Sequence, residues 1–331
     1  MKVSVCIPTF NQAAFIKQAI LSSYNQSVKP FEIIVFDDCS TDETAHVLQA
    51  LTSEVSGLKV FTQPQNRGIA RNVDDCLRAA TGDFIVRLDS DDCLGETYIE
   101  KLTQLLIDNP GAGYAHASVQ EFDQYGNNLK LRQLARKSGF QSSTDALKAS
   151  IKGFRVAANI LIFRKEALVA ANYIASNANF AEDYYLVCSI AAAGFGNAYL
   201  NEVLAYYRVW VDTGKVRQRR KLDEIVGYNK LFTEVLKPAY EKLGWDTSIL
   251  NNKKTDFACR HADCLAWGVY TADEKEVLKK ALLNLSSSAR VKSCIWLYLN
   301  GFGGILSAYG QAKLSAKTKL KAIINKRKKS S

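Results

Sequence analysis

The first 110 residues alternate between short apolar runs and amphipathic stretches, and this alternation limits the fold more than any other feature of the chain. A short, nearly continuous apolar run is typical of a strand that is covered on both faces. Between the runs, apolar residues recur at helical spacing. Strand and helix units connected in this way form parallel sheets through right-handed crossovers. The sequence therefore predicts an α/β fold with a mostly parallel central sheet flanked by helices, in which the first four strands are residues 3–7, 31–36, 58–62 and 84–88.

The pattern of the chain changes near residue 215, where strand-like runs stop and only amphipathic helical patterning remains. Before that point, residues 124–153 are polar and basic, and we predict a loop region that includes a short helix. The other predicted elements of this part are strands at 113–122, 156–163 and 199–210 and helices at 96–107 and 181–193. The predicted domains are an α/β domain (1–214), a helical domain (215–311) and a basic tail (312–331).

The cysteine content and the apolar segments of the chain predict its cellular location. The eight cysteines are scattered without a C-x-x-C pair, which favours reduced thiols in the cytoplasm. The first ten residues run straight into a strand, so we expect no signal peptide. Residues 294–310 are uncharged but short and broken by glycines, so we expect a buried element or an interfacial anchor rather than a membrane span.

The net charge of +10 is concentrated at the end of the chain, because residues 312–331 contain eight Lys and Arg and no acid. Such a tail is either a solvated end or a basic amphipathic segment on an anionic membrane. It lacks the interleaved aromatic residues that would favour nucleic acid as a partner. We expect a cytoplasmic protein that can associate peripherally with the inner face of the membrane.

Three aspartates, Asp89, Asp91 and Asp92, follow the fourth predicted strand within four positions. Carboxylates this close repel one another unless a cation lies among them. The segment can be a polar turn that caps the next helix. It can also be a divalent-metal site, with Asp89 and Asp91 as an Asp-x-Asp pair whose remaining ligands are water and substrate phosphate.

Further polar residues follow the other predicted strands or open helices. Ligands of parallel sheets bind beyond the carboxyl ends of the strands, so these side chains should converge at one rim. They are Thr9, Asp37, Asp38, Arg71, Asp89, Asp91 and Asp92. At the helix starts, we predict that Asn11 caps the first helix and that Ser40 or Thr41 caps the second.

Five blocks in the first 212 residues together resemble the inverting glycosyltransferases of family 2, of the kind that builds bacterial polysaccharides and cell-surface glycans. That family has the GT-A fold, a Rossmann-like sheet with flanking helices. The helical region after it has no motif of its own, and we assign it to acceptor binding or oligomerisation. The blocks are VSVCIPTFNQAAFIKQAILSSYNQ, EIIVFDDCSTDET, NRGIARN, GDFIVRLDSDD and AEDYYLVCSIAAAGF.

The resemblance implies a nucleotide-binding role for residues of the first blocks. Asp37 matches an acid that accepts the imide N–H of uracil or thymine, which favours UDP- or dTDP-sugars. Arg71 matches an arginine that contacts phosphate, for which a guanidinium fork is suited. The implied nucleotide-binding residues are Pro8, Thr9, Phe10, Asp37, Asp38, Arg71 and Asp89.

The resemblance also implies a metal and a base. Asp91 would bind Mg²⁺ or Mn²⁺ directly, and Asp89 would bind the metal's water shell or the ribose. Asp183, with Glu182 before it, matches the catalytic base. Many relatives place a histidine soon after the Tyr-Arg pair at 207–208, whereas this chain has none there. The remaining candidates for contact with phosphate or acceptor are Asp92, Arg208 and Trp210.

The activity implied is transfer of a sugar from a nucleotide-diphosphate donor to a hydroxyl of a cell-surface glycan or lipid-linked acceptor. Two alternatives use the same acids. A nucleotidyltransferase would need a phosphate loop, but the sequence has no G-x-x-x-x-G-K-[ST]. A non-catalytic, donor-binding subunit recruited to a membrane would not need the base at Asp183. The helical domain leaves homo-oligomerisation open as a further property.

Overall fold

A ten-stranded mixed sheet forms the centre of the computed structural model, which describes residues 1–174, 180–210 and 216–305. The strands are β1 (Val3–Thr9), β2 (Glu32–Asp37), β3 (Leu58–Thr62), β4 (Phe84–Arg87), β5 (Cys93–Leu94), β6 (Ala112–Phe122), β7 (Asn128–Arg132), β8 (Gly139–Gln141), β9 (Leu161–Arg164) and β10 (Gly196–Arg208). Their order in the sheet is β3-β2-β1-β4-β9-β6-β10-β5, with β7 beside β6 and β8 beside β10.

The first four long strands pair in parallel, as the alternation of apolar runs predicts. β1 lies between β2 and β4, β2 pairs with β3, and β6 pairs in parallel with β10. β9 is antiparallel to both β4 and β6 and joins the two parallel parts. The prediction of a mostly parallel sheet flanked by helices is therefore confirmed.

Helices cover both faces of this sheet. They are α1 (Ile16–Tyr24), α2 (Thr44–Glu54), α3 (Ile69–Ala79), α4 (Tyr98–Asp108), α5 (Ser143–Ser150), α6 (Lys165–Ala170) and α7 (Glu182–Ala192). Val3, Val5 and Ile7 of β1 pack into the main core with α1, α2 and α4, whereas Cys6 of the same strand contacts Cys76 of α3 on the other face.

Some local predictions are wrong. Asn11 does not cap α1, because it adopts a left-handed φ of 52° and its side chain accepts the N–H of Thr41. Neither Ser40 nor Thr41 caps α2, whose preceding residue is Glu43. The predicted strand at 156–163 forms only from Leu161 onwards, and the region 124–153 contains β7 and β8 as well as the expected short helix, α5.

The chain folds as two compact units. The first is Met1–Thr213 with Lys230–Trp245, so it contains the sheet, a π-helical turn at Leu231–Leu236 and α10 (Lys237–Lys242). The second is Gly214–Asn229 with Asp246–Ser331. The predicted helical domain, 215–311, includes the segment 230–245 that belongs to the first unit here.

The second unit is helical in its described part. Its core contains Ile225, Phe257, Leu278, Leu282 and Val291. No helix within residues 1–174, 180–210 and 216–305 is long and apolar enough to cross a membrane. The predicted basic tail, 312–331, lies outside the described residues. The remaining helices are α8 (Val216–Arg219), α9 (Lys221–Lys230), α11 (Ser248–His261), α12 (Ala272–Leu285) and α13 (Ala289–Leu299).

Candidate active site

The turn that follows β1, which we call the first turn, lies beside the end of β2. Thr9 and Asp37 are partners in the parallel register, and the N–H of Asp38 donates to the carbonyl of Thr9 at 2.9 Å. Pro8 is buried within β1, whereas the Phe10 side chain is 43% exposed beyond its end. The predicted nucleotide-binding residues Pro8, Thr9, Phe10, Asp37 and Asp38 therefore occupy one edge of the sheet.

The two aspartates after β2 have different partners. Asp37 is buried, and its carboxylate accepts hydrogen bonds from the backbone N–H and the hydroxyl of Ser40. Asp38 accepts the backbone N–H groups of Arg67 and Gly68 at 2.7 and 2.9 Å. Asp38 thereby fixes the turn that leads into α3.

Arg71 lies in the first turn of α3 and is exposed. The turn that Asp38 holds precedes α3 directly, since Gly68 is the residue before the helix. The structure therefore links Arg71 to the edge where Thr9 and Asp37 meet, with its guanidinium available to solvent.

Asp91 and Asp92 lie in the acid loop, residues 89–92, between β4 and β5. Burial, with Asp89 nearby, raises the pKa of Asp91, although the Trp210 indole N–H donates to its carboxylate at 2.6 Å. Asp92 is 1% exposed, and burial raises its pKa well above the usual range. One Asp92 oxygen accepts the N–H of Arg208, and the other has no hydrogen-bond partner among the residues that the structure describes.

The Arg208 guanidinium holds this loop from the side of β10. Its Nε donates to the carbonyl of Asp91 at 2.8 Å, and Nη2 donates to Gln18 at 2.7 Å. The guanidinium lies over the rings of Phe15 and Phe122, at 4.3 and 4.2 Å from their centroids. Because Arg208 is only 4% exposed, it is placed to position the acid loop, not to reach into solvent for a phosphate.

Arg87, the one charge in the apolar run of β4, joins the acid loop to the start of α7. Its side chain is 1% exposed and forms ion pairs with Asp89 at 3.2 Å and Glu182 at 3.5 Å. It also forms an ion pair with Asp183. The predicted metal-binding acid Asp89 and the predicted base Asp183 therefore contact the same buried guanidinium.

The acid loop supplies few ligands for a metal. Within the described residues, no group of three or more His, Cys, Asp or Glu side chains could hold a metal ion. Burial first, and the neighbouring carboxylates second, raise the pKa values of Asp91 and Asp92, and one Asp92 oxygen has no hydrogen-bond partner within the described residues. The acid loop fits a cation that takes its other ligands from water and phosphate oxygens.

Sequence reasoning missed the residues that position this site. Arg87 could have been found, because a charge inside a buried strand requires a partner of opposite sign. Ser40 and Gln18 carried no such signal, because their contacts with Asp37 and Arg208 depend on how the loops meet.

The family model described as "Glycosyl transferase family 2" matches residues 4–168. The chain belongs to glycosyltransferase family 2. The family 2 domain includes the first turn, Asp37, Asp38, Arg71 and the acid loop. Glu182, Asp183, Arg208 and Trp210 follow it in the chain, and Arg87 and Arg208 connect them to it.

The curated relatives share part of this chain. A GalNAc(5)-diNAcBac-PP-undecaprenol beta-1,3-glucosyltransferase from Campylobacter jejuni is 31% identical over 188 residues, which cover 56% of this chain and 56% of that protein. The chain spans about half the length of the first curated relatives that it matches.

Solved structures share the fold over most of the chain. TarS 1–349 from S. aureus superposes with a TM-score of 0.67 at 17% identity, covering 94% of this chain and 92% of that one. The complex of TarS 1–349 with UDP-GlcNAc gives a TM-score of 0.56 at 17% identity, covering 91% of this chain and 92% of that one. The mannosyltransferase PcManGT from Pyrobaculum calidifontis, in complex with GDP-Man and Mn²⁺, gives a TM-score of 0.55 at 18% identity, covering 90% of this chain and 84% of that one. The fold is thus that of the GT-A glycosyltransferases.

Proposed function

We propose that this protein transfers a sugar from a nucleotide-diphosphate donor to an acceptor hydroxyl with inversion at the anomeric carbon. One observation carries the proposal: Arg87 holds Asp89, on the donor side, and Asp183, on the acceptor side, with a single buried guanidinium. The transfer reaction needs one acid near the leaving diphosphate, to help hold a metal, and another near the acceptor, to take its proton. Asp89 and Asp183 on the same guanidinium suit these two roles.

The donor nucleotide is proposed to lie at the edge formed by β1 and β2. Thr9 and Asp37 meet there, and Asp37 is an acid whose oxygens would accept the imide N–H of uracil or thymine. We therefore favour UDP- or dTDP-sugars as donors. The bound UDP-GlcNAc of the TarS complex supports a nucleotide-sugar of this class. Arg71, exposed at the start of α3, would contact the diphosphate.

Asp91 and Asp89 are the residues that would hold Mg²⁺ or Mn²⁺. The metal, when bound, would act as a Lewis acid on the leaving diphosphate. Asp92 and Arg208 would fix the backbone of the loop that carries Asp91, through the hydrogen bonds that join them. Trp210 would keep Asp91 oriented from the end of β10.

Asp183 is the proposed general base. One of its carboxylate oxygens would take the proton of the acceptor hydroxyl while that hydroxyl oxygen forms its bond to the anomeric carbon. The bond from the anomeric carbon to the diphosphate oxygen breaks in the same in-line step, so the configuration inverts. A guanidinium beside a carboxylate favours the ionised form, which is the form that can accept a proton.

The acceptor is proposed to be a cell-surface glycan or a lipid-linked saccharide at the cytoplasmic face of the membrane. The Campylobacter relative is named for a saccharide on a PP-undecaprenol carrier, which supports this class. The basic tail, eight Lys and Arg in residues 312–331, would hold the protein at anionic lipid. The helical region would serve acceptor binding or self-association.

Two assays, donor hydrolysis and sugar transfer, test the proposal. Each is run with UDP-, dTDP- and GDP-sugars in the presence of Mn²⁺ and in the presence of EDTA. We expect turnover with at least one UDP- or dTDP-sugar, and its loss with EDTA.

The variant Asp183→Asn should bind UDP as the wild type does and lose at least about a hundredfold in turnover. Undiminished turnover in that variant would remove the base, and turnover only with nucleoside triphosphates would identify a nucleotidyltransferase. Donor binding without any turnover would identify a non-catalytic subunit.

A further inference from the structure

A basic cleft lies between β8 and α5, in the segment that follows β7. Its volume is about 510 Å³, and four cationic side chains line it: Arg136, Lys137, Lys148 and Lys152. The one acid in its lining, Asp145, is engaged in the N-terminal cap of α5, where it exchanges hydrogen bonds with Ser142. Within the part of the chain that the structure describes, none of the four cations forms an ion pair.

Two of the four cations, Arg136 and Lys148, are held by contacts with the fold. Arg136 donates to the Asn197 side chain at 2.5 Å, and its guanidinium lies 5.3 Å from the centroid of the Tyr199 ring. The ammonium of Lys148 lies 4.9 Å from the ring of Trp245. Four like charges around one concavity repel one another, and an anion placed among them relieves that repulsion.

The cleft is connected to the start of α7, where Glu182 and Asp183 lie. α5 packs against α7, and the hydroxyl of Tyr184, next to Asp183, donates to the carbonyl of Ser150 at the end of α5. Lys152 follows Ser150 by two residues and lines the cleft. A ligand in the cleft would therefore contact α5, which packs against the helix that carries the proposed base.

We propose that this cleft binds an anionic group of the acceptor, so that the acceptor is a saccharide bearing phosphate, sulfate or carboxylate groups. The half-exposed ring of Phe140 and the amide of Gln141, which also line the cleft, suit the faces and hydroxyls of sugars. A lipid surface is the competing ligand, and the vesicle arm of the test below addresses it. This inference rests on the proposed function, since it assigns the second substrate of that reaction.

The test uses the full-length protein and a matched pair of probes, maltohexaose and chemically sulfated maltohexaose. Lysine acylation followed by mass spectrometry should show protection of Lys148 and Lys152 by the sulfated probe and not by maltohexaose. Lys2 and Lys29, which precede β1 and β2 and do not line the cleft, should stay unprotected. Vesicles of phosphatidylcholine with and without phosphatidylglycerol form the second arm, and we expect neither to protect Lys148 or Lys152.

A double variant, Lys148→Gln with Lys152→Gln, should bind sulfated maltohexaose about tenfold more weakly and show a smaller dependence on salt. The control is Lys2→Gln with Lys29→Gln, which changes the net charge equally and should bind as the wild type does. Equal binding by the two double variants would overturn the inference. Protection by maltohexaose would overturn the anionic class, and protection by phosphatidylglycerol vesicles alone would assign the cleft to the membrane.

Donor hydrolysis without an acceptor separates this inference from the proposed function. The Lys148 and Lys152 variant should hydrolyse the donor at the wild-type rate, because neither lysine belongs to the donor site. If the wild type hydrolyses no donor, the proposed function fails whatever the cleft binds. If the wild type hydrolyses donor and the cleft variants bind sulfated maltohexaose normally, only the cleft assignment fails.

Discussion

At the scale of single residues, Arg87 decides whether the acids of the site can remain together. It is fully buried and contacts Asp89, Glu182 and Asp183. The variant Arg87→Met would leave these carboxylates without their cation, so we expect a loss of about 3–5 kcal/mol in the free energy of unfolding. Urea denaturation followed by circular dichroism measures this loss.

Two companion variants separate charge from geometry at this position. Arg87→Lys keeps the positive charge but cannot reach several carboxylates with a planar fork, so its stability should lie between those of the wild type and Arg87→Met. Arg71→Met, at an exposed position, should change the free energy of unfolding by no more than about 0.5 kcal/mol. If Arg87→Met is as stable as Arg71→Met, the buried cation does not hold the site.

Residue identities alone predicted which acids belong to this edge but not how they are held. The places of Thr9, Asp37 and Asp89 follow from a general rule, because each comes at the end of a strand in a parallel sheet. The side-chain partners of Asp37 and Asp91 could not be predicted, because Ser40 and Trp210 reach them through loop conformations that no periodic pattern encodes.

At the scale of secondary-structure elements, the position of α7 depends on a close approach to β6. A Cβ atom added to Gly113 of β6 would lie 2.6 Å from the side chain of Ile190 in α7 and 2.9 Å from that of Ala167 in α6. The variant Gly113→Ala should therefore push α7 away and lower the free energy of unfolding by about 1–3 kcal/mol. Because Glu182 and Asp183 begin α7, sugar transfer should fall as well.

The control for Gly113→Ala is Gly268→Ala, where an added Cβ meets nothing within 4 Å. Thermal unfolding and transfer rates of the two variants should be compared under the same conditions. Equal melting temperatures would show that β6 and α7 have room to separate, and would contradict the close approach.

The elements themselves were predictable to different degrees. The boundaries of β3 agree with the sequence, since Leu58–Thr62 is a short segment with apolar residues at Leu58, Val60 and Phe61 between two helical patterns. β7 and β8 were missed for different reasons. The five residues of β7 alternate polar residues with leucine, but nearly all of them are exposed, and β8 has only three residues, too few to show a periodic pattern. Their pairing with β6 and β10 comes from tertiary contacts.

At the scale of the whole molecule, the sequence predicted the α/β class but not the strand order that assembles the site. β9 inserts antiparallel between β4 and β6, and this order places α7, which follows β9 in the chain, next to the end of β4. Sequence spacing cannot show it, because Arg87 and Asp183 are almost a hundred residues apart. The resemblance to a known family implied that Asp183 acts in the same site as Asp89 and Asp91, but it did not name Arg87.

The stability of the molecule towards acid should depend in part on the buried residue His116. His116 of β6 is 1% exposed, lies between Tyr114 and Tyr199, and has no hydrogen-bond partner at either ring nitrogen within the described residues. Burial, with the Arg136 charge nearby, lowers its pKa from 6.5 to about 3. The folded protein thus binds this proton more weakly than the unfolded chain does.

Above pH 6.5 His116 is neutral in both the folded and the unfolded state, so it does not lower the free energy of unfolding. As the pH falls from 6.5 towards 3, the unfolded chain binds the proton first, and the free energy of unfolding decreases by about 2 kcal/mol at pH 5. The variant His116→Phe keeps the ring without a titrating group, so it should unfold with the wild-type free energy at pH 8 and lose about 2 kcal/mol less than the wild type at pH 5. His46→Gln, at an exposed position, should follow the wild type at both pH values. Urea denaturation at the two pH values measures the difference, and an equal loss in His116→Phe and the wild type would show that other groups determine the acid sensitivity.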